Sequence, residues 1–365
     1  MHLQVPFSGV AAKGTRICTA SWPLQAISYT YSLFPAVDLT APIVPASTLP
    51  AITPGSRTLI VMNPAAGQTD TERVLRLLAG AFAVRGASFD VVHTEGAGHA
   101  QKLAHEAAAH GYRAVVAVGG DGTIGEVITG LAGTDVPLGI IPKGTANQVA
   151  SNLGIPRDVE EAVEVAVNGV PAPIDLGQLA DGRYFALAAG AGWDAAVMAG
   201  ATRELKDRWG FGAYIYAGLR LGVKPPLHRY RIVADGREFK VRAAMVLLAN
   251  MGQFMANTKP PVLVTVAPEV SYQDGKLDVC IFAPHTLRDV AALVWRVLRG
   301  GFSPDERLIY FQASEITVHA DPPAVTEIDG ELLGHTPLTA RAVRGGVTVL
   351  VPRKPEDEGE KDEVR

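Results

Sequence analysis

The chain has 365 residues, 48% of them hydrophobic and 19% charged, with a net charge of −4. That length allows two domains with well-buried cores, the composition is globular, and the slight acidic balance gives no global electrostatic case for nucleic acid. The two cysteines, Cys18 and Cys280, belong to no Cys/His cluster, so they point to free thiols in a reducing compartment and to no zinc site. Residues 17–37 carry no charge and follow Lys13 and Arg16. Polar residues such as Thr19, Ser21 and Ser28 break this run too often for a signal peptide, and Pro23 and Pro35 exclude a membrane span. Residues 1–56 therefore read as a disordered leader and a linker rich in Pro, Ala, Thr and Ser.

The first folded unit is expected over 57–172. Thr58–Met62 is a strand closed by the loop Asn63-Pro64-Ala65-Ala66-Gly67. A helix follows from about Thr69, with Val74, Leu75, Leu78 and Phe82 on one face. Phe89–His93 is a second strand ending at Thr94, and Leu103, Ala104, Ala107 and Ala108 mark the next helix. Val115–Val118 is a valine-rich third strand, suited to burial on both faces. It breaks into Gly119-Gly120-Asp121-Gly122-Thr123-Ile124-Gly125-Glu126, and Thr123 and Glu126 have the spacing of a helix capping box. Leu138–Ile141 is a fourth strand, running into Pro142-Lys143-Gly144-Thr145-Ala146-Asn147 and a short helix.

This alternation argues for a doubly wound parallel sheet, whose ligands sit outside the carboxyl ends of the strands. Glycine turns that open a helix present N–H groups to anions. One such turn is equally an ordinary tight connection. Four strand ends with small polar residues make a phosphate-binding rim. Neither G-x-x-x-x-G-K-[ST] nor an opening G-x-G-x-x-G occurs, which excludes a P-loop enzyme and a plain dinucleotide dehydrogenase.

From about residue 173 the pattern changes to strands. They are read at Pro173–Leu179, Tyr184–Ala189, His228–Val233, Phe239–Ala249, Val262–Val266, Leu277–Phe282, Glu315–His319 and Val347–Val351, with hairpin turns at Asp181-Gly182, Asp235-Gly236 and Asp329-Gly330. The fold class is thus α/β plus β: a parallel-sheet nucleotide domain followed by an antiparallel β-sandwich or barrel-like domain over 173–352. The last strands are allowed to return to the first domain. Helical inserts are expected at about Trp193–Val223 and Thr286–Arg299, and a charged tail at 353–365.

Asn63–Gly67, Gly119–Thr123 and Ile141–Asn147 together resemble the catalytic-domain motifs of the diacylglycerol and lipid kinase family, in order over roughly 57–352. The Gly-Gly-Asp-Gly-Thr run alone is shared with NAD kinases. The loops on either side of it resemble the lipid branch. The resemblance implies an ATP-dependent transfer of phosphate to a lipid hydroxyl, with ATP and Mg²⁺ in an interdomain cleft. It implies nucleotide contacts at Asn63, Thr94, Gly119, Gly120, Asp121, Gly122, Thr123, Ile124, Gly125, Gly144 and Thr145. It implies a catalytic base at Glu331, in Asp329-Gly330-Glu331; by its residues alone this is a β-turn with a solvated glutamate. It also implies a structural Mg²⁺ held by the carboxylate of Asp274 and the carbonyls of Ser271 and Lys276, where the bare sequence shows an Asp-Gly turn. Oxygen donors suit Mg²⁺.

The chain departs from the family pattern at Gly125, where Asn is common, and at Gln148, where an acidic residue is common. Lys143 stands where many members have an uncharged residue, and a solvated side chain is expected. The rival readings are an NAD kinase-like enzyme and a nucleotide- or lipid-binding member with a decayed site. The partner implied is a lipid at a membrane surface, met from the cytoplasm at the inner membrane face. A homodimer is left open. The Arg203–Arg231 stretch mixes cations with Trp209, Phe211, Tyr214 and Tyr216, which suits a headgroup surface as well as a core helix with solvated cations.

Overall fold

The structure, a computed structural model, describes residues 25–29, 44–45, 57–67, 71–192, 227–256, 262–265, 271–284, 286, 288–289, 292 and 307–353. Most of the leader, the helical inserts and all but the first residue of the tail lie outside the described residues, as does the basic and aromatic stretch before Leu227.

Two short strands, β1 (Gln25–Tyr29) and β2 (Val44–Pro45), precede the first unit. Then come β3 (Arg57–Met62), α1 (Thr71–Val84), β4 (Ser88–His93), α2 (His99–Ala109), β5 (Ala114–Gly119), α3 (Asp121–Leu131), β6 (Leu138–Pro142), α4 (Gln148–Asn152) and α5 (Val159–Asn168). Strands β4, β3, β5 and β6 pair in parallel in that spatial order, and β1 lies antiparallel on β4. Helices α1 and α5 pack together, as do α2 and α3. Such βα crossovers place helices on both faces of a parallel sheet, which is why Leu59–Met62 and Val115–Val118 are fully buried apolar runs rather than alternating ones. Each such side chain contributes about 1.5–3 kcal/mol on burial. Helix α5 carries no strong breaker signal. It is capped by Asp158, whose carboxylate accepts the N–H groups of Glu160 and Glu161.

The second half comprises β7 (Val170–Leu179), β8 (Tyr184–Phe185), β9 (Ala188–Gly192), β10 (His228–Ala234), β11 (Arg237–Ala243), β12 (Met245–Ala249), β13 (Gln253–Ala256), β14 (Val262–Thr265), β15 (Leu277–Phe282), β16 (Leu308–Ala313), β17 (Glu315–Asp321), β18 (Val325–Ile328), β19 (Glu331–His335) and β20 (Leu338–Val351). A six-stranded antiparallel sheet runs β16-β15-β12-β9-β18-β19. Its partner layer is not separate from the first unit. The long strand β20 pairs with β17 through its first half, slips register between Val343 and Val347 opposite β7, and ends parallel to β6. One continuous sheet therefore joins both halves in the order β11-β10-β17-β20-β6-β5-β3-β4-β1-β2. The fold is a mixed parallel and antiparallel sheet unit plus an antiparallel β-sandwich.

The sequence read Phe239–Ala249 as one strand. The structure splits it at Ala244, whose N–H donates to the Phe282 carbonyl, so that β11 edges one sheet and β12 lies inside the other. The turn signals hold: Asp235 and Asp329 take left-handed backbone (φ 46° and 44°) ahead of Gly236 and Gly330 (φ 78° and 90°), the conformation a two-residue hairpin turn needs.

Candidate functional site

The carboxyl ends of β3, β4 and β5 open onto a cavity of about 530 Å³, lined by Asn63, Pro64, Thr94, Gly122, Thr123 and Glu126 among others. The Asn63 side-chain amide donates to Thr123 Oγ1 at 3.0 Å and its Oδ1 accepts the Ala65 N–H at 2.9 Å, which fixes the first loop against the glycine turn. Thr94 N–H donates to the Met62 carbonyl, placing its hydroxyl-bearing loop alongside.

The glycines divide into two kinds. Gly120 and Gly144 face each other so closely that a Cβ on Gly144 would stand 2.7 Å from the Gly120 Cα. They are needed for loop to meet loop, bringing the end of β6 against the end of β5. Gly122 and Gly125 instead have nothing within 4 Å of a would-be Cβ. Gly125 therefore weakens α3 without a packing reason. Gly125→Ala is expected to stabilise the protein by about 1 kcal/mol, read as a raised urea midpoint with unchanged slope.

Several expected roles change. Glu126 does not close a capping box. The N-cap of α3 is Gly120, with no side-chain bond. The Glu126 carboxylate instead crosses to the next helix, where Oε1 accepts the Gly98 N–H (2.8 Å) and Oε2 the Ala100 N–H (3.0 Å). It holds the start of α2, with its positive dipole end, beside the cavity. Ile124 is fully buried and its N–H donates to the Gly120 carbonyl inside α3, so neither faces a ligand. Gly144 N–H is taken by Asn147 Oδ1, and Thr145 is exposed on the loop rather than in the cavity lining. Asp121 Oδ1 accepts the Val149 N–H at 3.2 Å, and Gln148 and Asn147 donate to the same carboxylate, so Asp121 caps α4. Burial raises its pKa against those bonds. Lys143 is not solvated: it is 5% exposed, and its Nζ donates to Thr71 Oγ1 at 2.8 Å, at the start of α1. Burial first, and Lys143 second, keep the His93 imidazole below its usual pKa.

The acidic hairpin between β18 and β19 is anchored to the link between β8 and β9, and β8 packs against α3. Asp329 is partly buried. Its Oδ2 accepts the Ala186 N–H (2.9 Å) and its Oδ1 those of Leu187 (2.9 Å) and Ala188 (3.0 Å), the link between β8 and β9. Burial pushes its carboxyl up to about 6, the three N–H bonds oppose the rise, and the Asp121 charge adds to it. Glu327 accepts the Gly330 N–H at 2.8 Å. Glu331, two residues on, is exposed at the start of β19. The sequence missed Asp329, because an Asp-Gly pair is explained by its turn alone.

Asn250 completes the stitch: its side-chain amide donates to the carbonyls of Asp175 and Ala186, at 2.8 and 2.9 Å. The Asp175 carboxylate accepts the N–H groups of Gly275 and Gly345, tying down the loop of Ser271, Asp274 and Lys276. There Asp274 Oδ1 accepts the Lys276 N–H and Oδ2 the Gln312 amide. The donors available for an ion are a carboxylate and carbonyls, an all-oxygen set that fits Mg²⁺ completed by water. Among the described residues no group of three or more His, Cys, Asp or Glu gathers for a metal.

Parallel strands that end at a cavity, joined through one continuous sheet to an antiparallel sandwich, define a two-part α/β and β architecture. The family models agree. Residues 57–179 match the diacylglycerol kinase catalytic domain, and residues 188–351 match the YegS C-terminal NAD kinase beta sandwich-like domain. The chain is 31% identical over 301 residues to a diacylglycerol kinase of Bacillus subtilis, covering 82% of this chain and 97% of that one. It is 32% identical over 275 residues to one of Mycobacterium tuberculosis, covering 72% and 85%. A crystal structure from Bacillus anthracis str. Sterne superposes with a TM-score of 0.71 at 25% identity, covering 84% of this chain and 98% of that one. The chain belongs to the diacylglycerol kinase catalytic-domain family.

Proposed function

We propose that this chain is an ATP-dependent lipid kinase that phosphorylates the hydroxyl of diacylglycerol or a related lipid. The observation that supports the reading is a cavity of nucleotide size at the ends of the parallel strands, with α3 packed against β8 and the acidic hairpin clamping the link from β8 to β9. Phosphoryl transfer asks a protein mostly for positioning and charge stabilisation. The cavity lined by Asn63, Thr94 and Thr123 holds the nucleotide, and N–H groups of the glycine turn face its anionic groups. Glu331 accepts the lipid hydroxyl's proton as its oxygen attacks the γ-phosphorus in line and ADP leaves. Asp329 keeps the hairpin in place. Mg²⁺, when bound, neutralises phosphate charge. Asp274 with the carbonyls of Ser271 and Lys276 would hold a structural ion.

Asp329 is the weaker choice of base, because both its oxygens already face backbone donors. The NAD kinase reading gains support from the description of the matched β-sandwich, and it predicts a different acceptor. The purified chain is to be given ATP with either diacylglycerol in detergent micelles or NAD. Phosphate on the lipid supports the proposal. Phosphate on NAD, or on neither, sinks it.

A further inference from the structure

We propose that the outer face of the hairpin formed by β10 and β11 docks on an anionic lipid bilayer; this rests on the lipid-kinase reading, which requires the chain to meet a lipid surface. Along these strands Tyr230, Ile232 and Ala243 point inward and are buried, while the alternate residues are exposed. The register sets Arg229 directly opposite Arg242 and Arg231 directly opposite Lys240. Like charges facing each other across antiparallel strands oppose folding, so two consecutive such pairs call for an outside anion. Glu238 relieves only the second pair, reaching Lys240 at 3.2 Å and Arg231 at 3.7 Å. Among the described residues no ion pair relieves Arg229 or Arg242. Asp321 stands opposite Arg229 in β17 yet makes none with it. This concentration of positive charge lies on a chain whose net charge is −4.

The shape of the patch selects the occupant. The cations spread over a sheet face, and β11 is the terminal strand of its sheet. A bilayer offers anions across a plane, so all four cations find partners together. No described helix is long and apolar enough to cross a membrane, so attachment by these residues would be peripheral and sensitive to salt.

The test is co-sedimentation of the full chain with phosphatidylcholine vesicles, with and without phosphatidylglycerol, for the native protein and for Arg229→Gln/Arg242→Gln. Native protein is expected to pellet with the anionic vesicles only. Removing two cations should weaken that partitioning about thirtyfold, at roughly fivefold per cation. Turnover on diacylglycerol in neutral detergent micelles should not change, which also shows that the variant is folded. Equal pelleting with neutral vesicles, or pelleting unaffected by the substitutions, overturns the proposal. So does a variant that loses binding to duplex DNA while keeping the vesicles. If native protein phosphorylates no lipid in micelles, the kinase reading fails separately, and the vesicle result still decides the role of this face.

Discussion

Glu331→Gln is expected to lower kcat by about 10²–10⁴, the range a positioned general base contributes, while nucleotide affinity stays within a few-fold of native. The split follows from where Glu331 sits. It opens β19 on the exposed edge of the sandwich, whereas Asn63, Thr94 and Thr123, which line the cavity, belong to the other half of the molecule. The glutamine keeps the size and hydrogen-bonding reach of the side chain and removes only its ability to take a proton. Isothermal titration with ATP and a steady-state assay on the same preparation measure both arms. Full activity in the variant would remove Glu331 from the mechanism. An equal loss of nucleotide binding would show that it supports the cavity instead.

Asp329→Ala is expected to be the most damaging single change to stability, costing about 3–5 kcal/mol. Ala186, Leu187 and Ala188 are at most 5% exposed, so the variant strands three buried N–H donors, each worth about 1–3 kcal/mol when left unpaired. The loss is reduced because a buried carboxylate is no longer being desolvated. That desolvation gives a separate signature in pH. Burial raises the Asp329 carboxyl to about 6, above its unfolded value of about 3.9. The group's contribution to stability is therefore full below pH ~4 and is lost as pH rises through the folded value. A shift of about two units corresponds to roughly 3 kcal/mol. Asp329→Asn keeps one acceptor oxygen and removes the titration. Its melting temperature should lack the decline that the native protein shows between about pH 4 and 7. An unchanged decline would assign it to another group.

What was legible in the sequence was local. The valine-rich strands, the glycine turn and the Asp-Gly hairpins announce themselves because period and backbone conformation are encoded within a few residues. What was hidden was long-range. Glu126 has the spacing of a cap, yet its partners lie 26 and 28 residues back in another helix. Ile124 belongs to a motif that resembles a nucleotide contact, but helical geometry turns its side chain into the core. The corner at Ala244 contains neither Gly nor Pro, so nothing in Phe239–Ala249 signals a change of sheet. The sequence left open a return of the last strands to the first domain, but not its register, which pairs Val349 with Leu138. Lys143 looked like a surface cation until Thr71 was placed within reach of it. Asp329 and Glu331 stand in one short motif, and only the fold separates the carboxylate clamped by three N–H groups from the exposed one.

Transfer of label from γ-labelled ATP to a total lipid extract, followed by organic extraction and chromatography, tests the central claim most directly. A lipid kinase places label in a Mg²⁺-dependent organic-phase product with native protein, and that product is lost with Glu331→Gln. Label that stays in the aqueous phase with both proteins, while ATP still binds, would contradict the account and leave a nucleotide-binding protein without this chemistry.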